Sequence, residues 1–390
     1  MKCLFVHDFR SYHYLETAYC TNLSYEIWSK RYLPFFDNLV ILNRTKDVEK
    51  KPKGLVISSG SGVIYAKKIN LFKNIDFFIH YSTYKKIIQD YIINSDAVII
   101  RLDSFLGLIA AKLCRKMNKP YIIEVVGCVW DSFWNKGTVG KLLAPCLYIK
   151  TKKEIYQCKY VIYVTKAFLQ KRYPSSGKNI NCSNVCLQHT DDRVLARRLL
   201  KIDALSTKSK IIIGTIAALD IKYKGQQYVI RAISYLKKQG YSNFEYHLVG
   251  GGNQLFLKKL VKKYDLEENI RFIGPIEHEK INIWLDSIDI YIQPSRQEGL
   301  PRALIEAMSR GLPCLGAKTA GIPELLNTQC IFSNTHNNYK IIAKMLNCLT
   351  TDKMKKLAKE NFINAKDYEE EKINKIRFSF FNDFKKREIG

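Results

Sequence analysis

The sequence predicts an α/β protein of two domains, each built on a parallel sheet. Three observations predict it. At 390 residues the chain exceeds what one ordinary hydrophobic core serves. Strand-sized apolar runs alternate with helix-sized segments in both halves, the pattern of parallel α/β sheets. A polar, turn-rich stretch at residues 175–184 and a segment of low strand character at 191–207 separate the halves. The expected domains are therefore residues 1–186 and 208–365, followed by a helical segment at 366–390.

In the first half, strands are expected at residues 2–6, 39–42, 55–58, 97–101, 121–126 and 160–165, with a helix at 106–117 stopped by Pro120. The turn after Val126 carries Asp131 between Trp130 and Trp134. In parallel sheets, ligands gather at the carboxyl ends of strands, so Asp131 is a candidate site residue. A helix-cap or solvated role suits it equally. Residues 138–157 mix Leu142, Leu143, Leu147 and Ile149 with Lys141, Lys150, Lys152 and Lys153. Such a basic amphipathic segment suits an anionic membrane surface, or an ordinary helix with its apolar side on the core.

The second half restarts with a strand at 210–216, a helix at 227–239 and a strand at 244–249 that runs into Gly250, Gly251 and Gly252. A helix at 254–264, a strand at 270–273, a helix at 279–287 and a strand at 288–293 follow. The stretch 294–324 then reads as loop, helix, strand and turn. Pro301 suits the first helical position and Gly311 the end, which predicts a helix over 301–310. Its N-terminus at Gly299 and Leu300 offers unpaired N–H groups to an anion. Arg302, Glu306 and Arg310 are spaced four apart, so the same helix also suits a solvated ion-pair face. One long helix is expected from Lys355 to about Lys386.

The net charge is +27. Residues 1–185 hold 29 basic and 13 acidic side chains, a balance of +16, and the remaining 34 and 23 give +11. Such an excess points to an anionic partner. The N-terminus turns polar too soon for a secretory leader, and no apolar run reaches the ~18 residues of a membrane span. Eleven scattered cysteines form no C-x-x-C pair, so reduced core thiols are expected rather than disulfides or a metal site.

Several pieces of the second half stand in an order that resembles the donor domain of family 4 glycosyltransferases, retaining enzymes of the GT-B fold. They are Lys224-Gly225 before a helix, the turn at Gly250 and Gly251, Arg271 to Gly274, Glu298 to Pro301 with Glu306, and Ala320 to Glu324. The resemblance covers residues 208–330; the first half is similar, more loosely, to the acceptor domain of bacterial polysaccharide members. It implies two Rossmann-like domains facing a cleft, with the C-terminal helix returning to the first domain. The implied activity is metal-independent transfer of a hexose from a nucleotide diphosphate sugar to a lipid-linked glycan in capsule, O-antigen or exopolysaccharide assembly. The expected place is the cytoplasm, at the inner face of the plasma membrane.

By the same resemblance, the donor is bound by Gly214, Lys222, Lys224, Gly250, Gly251, Ile273, Glu298, Gly299, Leu300, Pro301 and Glu306. Glu298 holds the donor sugar, Glu306 the ribose, and Lys224 the diphosphate; Glu298, Lys224 and Asp131 are the catalytic candidates. The physics suits these roles. Breaking a glycosidic bond to a diphosphate builds negative charge on the leaving group, and positive charge fixed there lowers the barrier. The chain has no D-x-D pair to hold a divalent metal, so cations and helix N-termini take that part, and no metal or cofactor is expected. Two features depart from the family. The family's arginine a few residues before the Lys-Gly pair is missing, its positions being Thr215, Ala217 and Ala218, which leaves Lys222 as the nearest substitute, and no histidine stands in the turn after the strand at 121–126. The alternatives are a nucleotide-sugar epimerase of the same architecture and a basic nucleic-acid-binding protein; the chain lacks a recognition helix or an aromatic RNA-binding strand, so no nucleic-acid partner is expected.

Overall fold

The structure is a computed structural model that describes residues 1–66, 80–135, 137–206 and 209–390. The chain divides into two compact units, residues 1–182 with 374–390 and residues 183–373. The expected start of the second domain at residue 208 lies outside the described residues. Among the described residues no helix is long and apolar enough to cross a membrane.

The first unit is built on a sheet of β1 (Lys2–Tyr14), β2 (Thr17–Cys20), β3 (Asn38–Asp47), β4 (Val56–Ile57), β5 (Val63–Tyr65), β6 (Ala97–Leu102), β7 (Tyr121–Val125), β8 (Tyr160–Tyr163) and β9 (Lys178–Asn181). Around it lie α1 (Tyr25–Arg31), α2 (Phe105–Lys116), α3 (Val129–Trp134) and α4 (Gly137–Tyr156). The apolar residues 3–6, 39–42 and 97–100 are all buried, as strands covered on both faces must be. β1 runs far past the expected residues 2–6. Cys3 to Val6 lie between β3 and β6, whereas Ser11 to Tyr14 pair antiparallel with β2. Its register with β3 shifts between Val6 and Arg10, a bulge that re-aims Asp8 toward the amino end of α2. β9 is a further departure. Its residues read as a polar turn, yet they pair with β8 as a half-exposed edge strand.

The second unit carries β10 (Ile211–Ile216), β11 (Phe244–Val249), β12 (Ile270–Gly274), β13 (Ile290–Gln293), β14 (Cys314–Ala317) and β15 (Ile331–Phe332), all parallel. Their order is β12-β11-β10-β13-β14-β15. That is the doubly wound 3-2-1-4-5-6 arrangement, whose crevice opens where the order reverses, between β10 and β13. α5 (Gln226–Lys238) follows β10, α6 (Arg302–Ser309) follows β13, and α7 (Thr351–Ala365) packs against α6.

The expected single C-terminal helix is two. α7 ends at Ala365 and α8 (Glu370–Phe384) begins after Glu369, which is extended. The break is held by Leu187, whose N–H donates to Tyr368 and whose carbonyl accepts from Glu370 at 2.8 Å each. Helix hydrogen bonds at this point are traded for a short parallel bridge, which apolar periodicity cannot register. From Asn374 onward the chain belongs to the first unit. Phe381 stacks on Phe35 with centroids 4.8 Å apart, and Tyr160 donates to Asp383 at 2.8 Å.

α8 also brings Arg377 into a buried charge network beneath the first sheet. Glu124 accepts from Arg101 Nε and Nη2 at 3.1 and 2.8 Å and from Tyr32 at 2.8 Å, with Arg377 Nη1 at 4.0 Å. Burial alone would raise the Glu124 carboxyl, but Arg101, Arg377 and Arg31 hold it below its ordinary range. A depressed carboxyl contributes stability that is present above its unfolded pKa and lost as pH falls through the folded one. Glu124→Gln is expected to cost about 3–5 kcal/mol, because it leaves buried guanidiniums uncompensated. Urea denaturation at neutral pH and at acid pH checks this: the difference between wild type and variant narrows as pH falls.

Candidate functional site

Two loops meet at the reversal point of the second sheet. One follows β10 and ends in Lys224 and Gly225; the other follows β13 and runs from Pro294 to Pro301. Gly225 sits at φ 83°, where an L side chain is strained, and a Cβ there would fall on the Pro294 carbonyl oxygen. The loops are also tied by Arg296 N–H donating to the Tyr223 carbonyl at 2.7 Å. With the backbones in contact, Lys224 Nζ reaches Glu298 Oε1 at 2.7 Å. Both side chains are largely, not fully, withdrawn from solvent.

Glu298 is held from below by residues that sequence reasoning missed. Gln293 Nε2 donates to Glu298 Oε1 at 3.1 Å and to Ser295 Oγ at 2.9 Å. Gln293 Oε1 accepts from the Tyr291 hydroxyl at 3.0 Å, and Tyr291 accepts from Ile216 N–H at 3.3 Å. Thr215 donates to the Ile292 carbonyl at 2.7 Å and accepts from Tyr246 at 2.8 Å. A buried hydrogen-bonded chain thus runs from β10 through β13 to one carboxylate oxygen. The available signal was Gln293 itself, a polar residue closing an apolar strand beside a glutamate-bearing loop.

α6 runs from Arg302 to Ser309, with Pro301 as its N-cap rather than its first residue and no side-chain cap. Its first N–H groups have no partner within the helix. Gly311, at φ 63°, ends it as expected. The solvated ion-pair face does not form. Arg310 turns to Asp286, binding it through Nε and Nη2 at 2.8 and 2.5 Å. Glu306 is buried, and its carboxylate accepts no hydrogen bond among the described residues. Desolvation pushes its carboxyl above the ordinary range, opposed by Arg302 and His278. A buried carboxylate with no donor suits a ligand that supplies hydroxyl donors.

The other sequence-derived candidates fall into three positions. Gly299, Leu300 and Pro301 form the entry to α6, with Gly299 accepting from Gly321 N–H at 3.0 Å. Gly250 (φ 144°) is pressed on the Ala217 carbonyl, whereas Gly251 has open space around it. Lys222 lies over the Phe256 ring at 4.7 Å. Ile273 is an exposed residue of β12. Gly214 lies inside β10, with Trp284 and Ile288 filling the space a Cβ would need. The structure therefore brings Lys224, Glu298 and the α6 entry together and leaves Gly214 in the core.

In the first unit, Asp131 lies in α3 with Arg172 Nη2 3.6 Å away. A cavity of about 350 Å³ opens beside it, at the bulge of β1 and the carboxyl end of β6. Asp8, Arg10, Arg44, Asp103 and Ser104 line it, with Leu147 and Thr151 of α4; Asp131 does not. Asp8 caps α2 by accepting from Phe105 N–H at 2.7 Å and Leu106 N–H at 3.0 Å, and Arg44 lies 3.5 Å away. Desolvation and Arg101 hold His7 down to about 3, so it is neutral and its Nδ1 accepts from Phe9 N–H at 3.0 Å.

A family profile described as "Glycosyl transferases group 1" matches residues 198–365. Protein CapJ of Staphylococcus aureus is 36% identical over 343 residues, covering 85% of this chain and 82% of that protein. The amylovoran biosynthesis glycosyltransferase AmsK of Erwinia amylovora is 38% identical over 131 residues, 32% of this chain and 31% of that protein. Among solved structures, sucrose-phosphate synthase from Thermosynechococcus elongatus superposes with a TM-score of 0.70 at 13% identity, covering 98% of each chain. Anabaena Alr3699/HepE in complex with UDP superposes at 0.66 and 15% identity, covering 98% of this chain and 100% of that one. These likenesses show the fold, which is GT-B.

Gly225→Ala is expected to cost about 1–3 kcal/mol, from a strained φ and a collision with Pro294. Gly251→Ala, with open space and no positive φ, stays within about 0.5 kcal/mol of wild type. Chemical denaturation of the two variants checks the contrast. Glu306 has a raised folded pKa, so the folded state holds its proton more tightly than the unfolded chain, and stability falls as pH rises through that interval. Glu306→Gln is expected to gain about 1 kcal/mol at neutral pH and to lose this fall. Thermal melts across pH 4 to 8 (roughly the span of a perturbed carboxyl) read it directly.

Proposed function

As the chain belongs to the glycosyl transferases group 1 family, we propose that it moves a hexose from a nucleoside diphosphate sugar to a lipid-linked glycan in cell-surface polysaccharide assembly. In this reading transfer proceeds with retention at the anomeric carbon and without a metal. The observation that carries it is the Lys224–Glu298 pair at 2.7 Å, set at the sheet's reversal point beside the uncapped start of α6. AmsK is named for amylovoran biosynthesis, and Alr3699/HepE was solved with UDP, which supports the substrate class and the pathway class.

The residues divide the work by charge. When the bond from the anomeric carbon to the phosphate oxygen breaks, its electron pair goes to the diphosphate. Lys224 and the first N–H groups of α6 meet that charge, with Lys222 as a second cation. Glu298 faces the sugar, where its carboxylate binds hydroxyls and offsets positive charge developing on the ring. Gln293 fixes which way Glu298 points. Glu306 accepts the ribose hydroxyls, which relieves the cost of its buried charge. The acceptor is taken by the first unit, with Asp131 and the cavity at Asp8 and Asp103 as its polar groups.

Thermal-shift measurements with UDP-, GDP-, dTDP- and ADP-linked sugars test the reading. One of these donors, at about 100 times its Kd, is expected to stabilise the protein by about 2.7 kcal/mol. Glu298→Ala should fold and keep much of that shift while losing about 10²–10³-fold in transfer, the scale seen when one group that stabilises transition-state charge is removed. Glu306→Ala should mainly lose the shift. If no donor raises the melting temperature, or if a donor is isomerised without an acceptor, the proposal fails.

A further inference from the structure

α4 is built inside out for a helix that only covers a core. Its buried positions are Gly140, Ala144, Thr151, Glu154 and Ile155, mostly small or polar. Four of its large apolar residues point the other way: Leu142 is 81% exposed, Val139 68%, Ile149 64% and Tyr156 53%. Leu142, Ile149 and Tyr156 are spaced seven apart, so they lie in one line along the solvent side. Lys141, Lys150, Lys152 and Lys153 flank that line and are all exposed. The helix's acid, Glu154, is buried and bound by Arg115 Nε and Nη2 at 3.0 and 3.1 Å, so it does not offset them. At the amino end Trp130 and Trp134 stack at 5.2 Å, and Lys141 lies 5.7 Å over the exposed Trp134 ring.

An apolar line with basic flanks and aromatic rings at one end is matched by one kind of surface. We propose that the outward face of α4 docks this protein on an anionic lipid bilayer. Leu142, Ile149 and Tyr156 enter the acyl boundary, and the lysines meet lipid phosphates. Charge complementarity selects the lipid over a second copy of the chain, because pairing two such faces would bring like-charged lysines together. The inward side of the same helix supplies Leu147 and Thr151 to the Asp8 cavity. On the acceptor reading given above, docking therefore delivers a lipid-linked glycan beside the cavity that takes it; the docking itself does not depend on that reading.

Co-sedimentation of the full chain with vesicles tests the proposal. Wild type should bind vesicles of phosphatidylglycerol and phosphatidylcholine at low salt about tenfold more than pure phosphatidylcholine, and high salt should weaken that binding. Leu142→Glu/Ile149→Glu, and separately Lys150→Glu/Lys152→Glu/Lys153→Glu, should each lower binding about tenfold or more. Both variants should melt like wild type and keep the donor-induced thermal shift, which shows that they fold. Equal binding to both vesicle types, or wild-type binding by either variant, overturns the proposal. So does a dimer in sedimentation velocity that Leu142→Glu/Ile149→Glu abolishes, or preferential binding to nucleic acid. A wild-type protein that binds anionic vesicles but shows no donor-induced shift counts against the glycosyltransferase reading alone.

Discussion

The contact between Gly225 and the Pro294 carbonyl is the constraint on which the second unit's site depends. It exists because two strands, β10 and β13, run side by side at the reversal of a doubly wound sheet, so the loops that leave them share one crevice. A side chain at residue 225 would separate those loops. Without one, the backbones touch, and a lysine from one loop reaches a glutamate from the other. The chemistry then follows from charge. In the proposed function the carboxylate meets a sugar and the ammonium a diphosphate; in the structure the two groups already hold each other in place at 2.7 Å.

The two glutamates differ by environment more than by sequence position. Glu298 has donors on one oxygen from Lys224 and Gln293, and its partners form a buried chain back into the strands. Glu306 has been taken into the domain without any. The first is positioned; the second has no protein donor until something binds. Low dielectric sharpens both effects, because it strengthens the made hydrogen bonds and raises the cost of the unmade ones. A site of this kind gives up some stability of the free protein for binding.

Much of the fold was legible, and what was not has physical causes. The longer parallel strands announced themselves as continuous apolar runs, whereas β5 and β15, two or three residues long, are too short to show a pattern. β9 did not, since an edge strand can be polar, and the β2 hairpin did not, since it lies beyond the apolar part of β1. The break at Glu369 depends on a single pairing with Leu187, which has no local signature. In the site, Lys224, Glu298 and Glu306 could be named from ordered motifs, but the direction of each carboxylate could not. Arg302, Glu306 and Arg310 look like a solvated face in sequence, and only the fold shows that Arg310 is taken by Asp286. Gln293 shows in sequence only as a polar residue closing an apolar strand, and Tyr291 not at all, because their role is to touch another residue's side chain. Gly214, read with the donor-binding glycines, is instead packed under Trp284.

The account turns on what the Lys224–Glu298 pair and Glu306 meet when a donor binds. A crystal structure with a nucleoside diphosphate sugar measures that directly. The account predicts a diphosphate oxygen about 2.7–3.2 Å from Lys224 Nζ or the first N–H groups of α6, and ribose hydroxyls at the same range from Glu306. A nucleotide bound elsewhere, with Glu306 still lacking a donor, would contradict it.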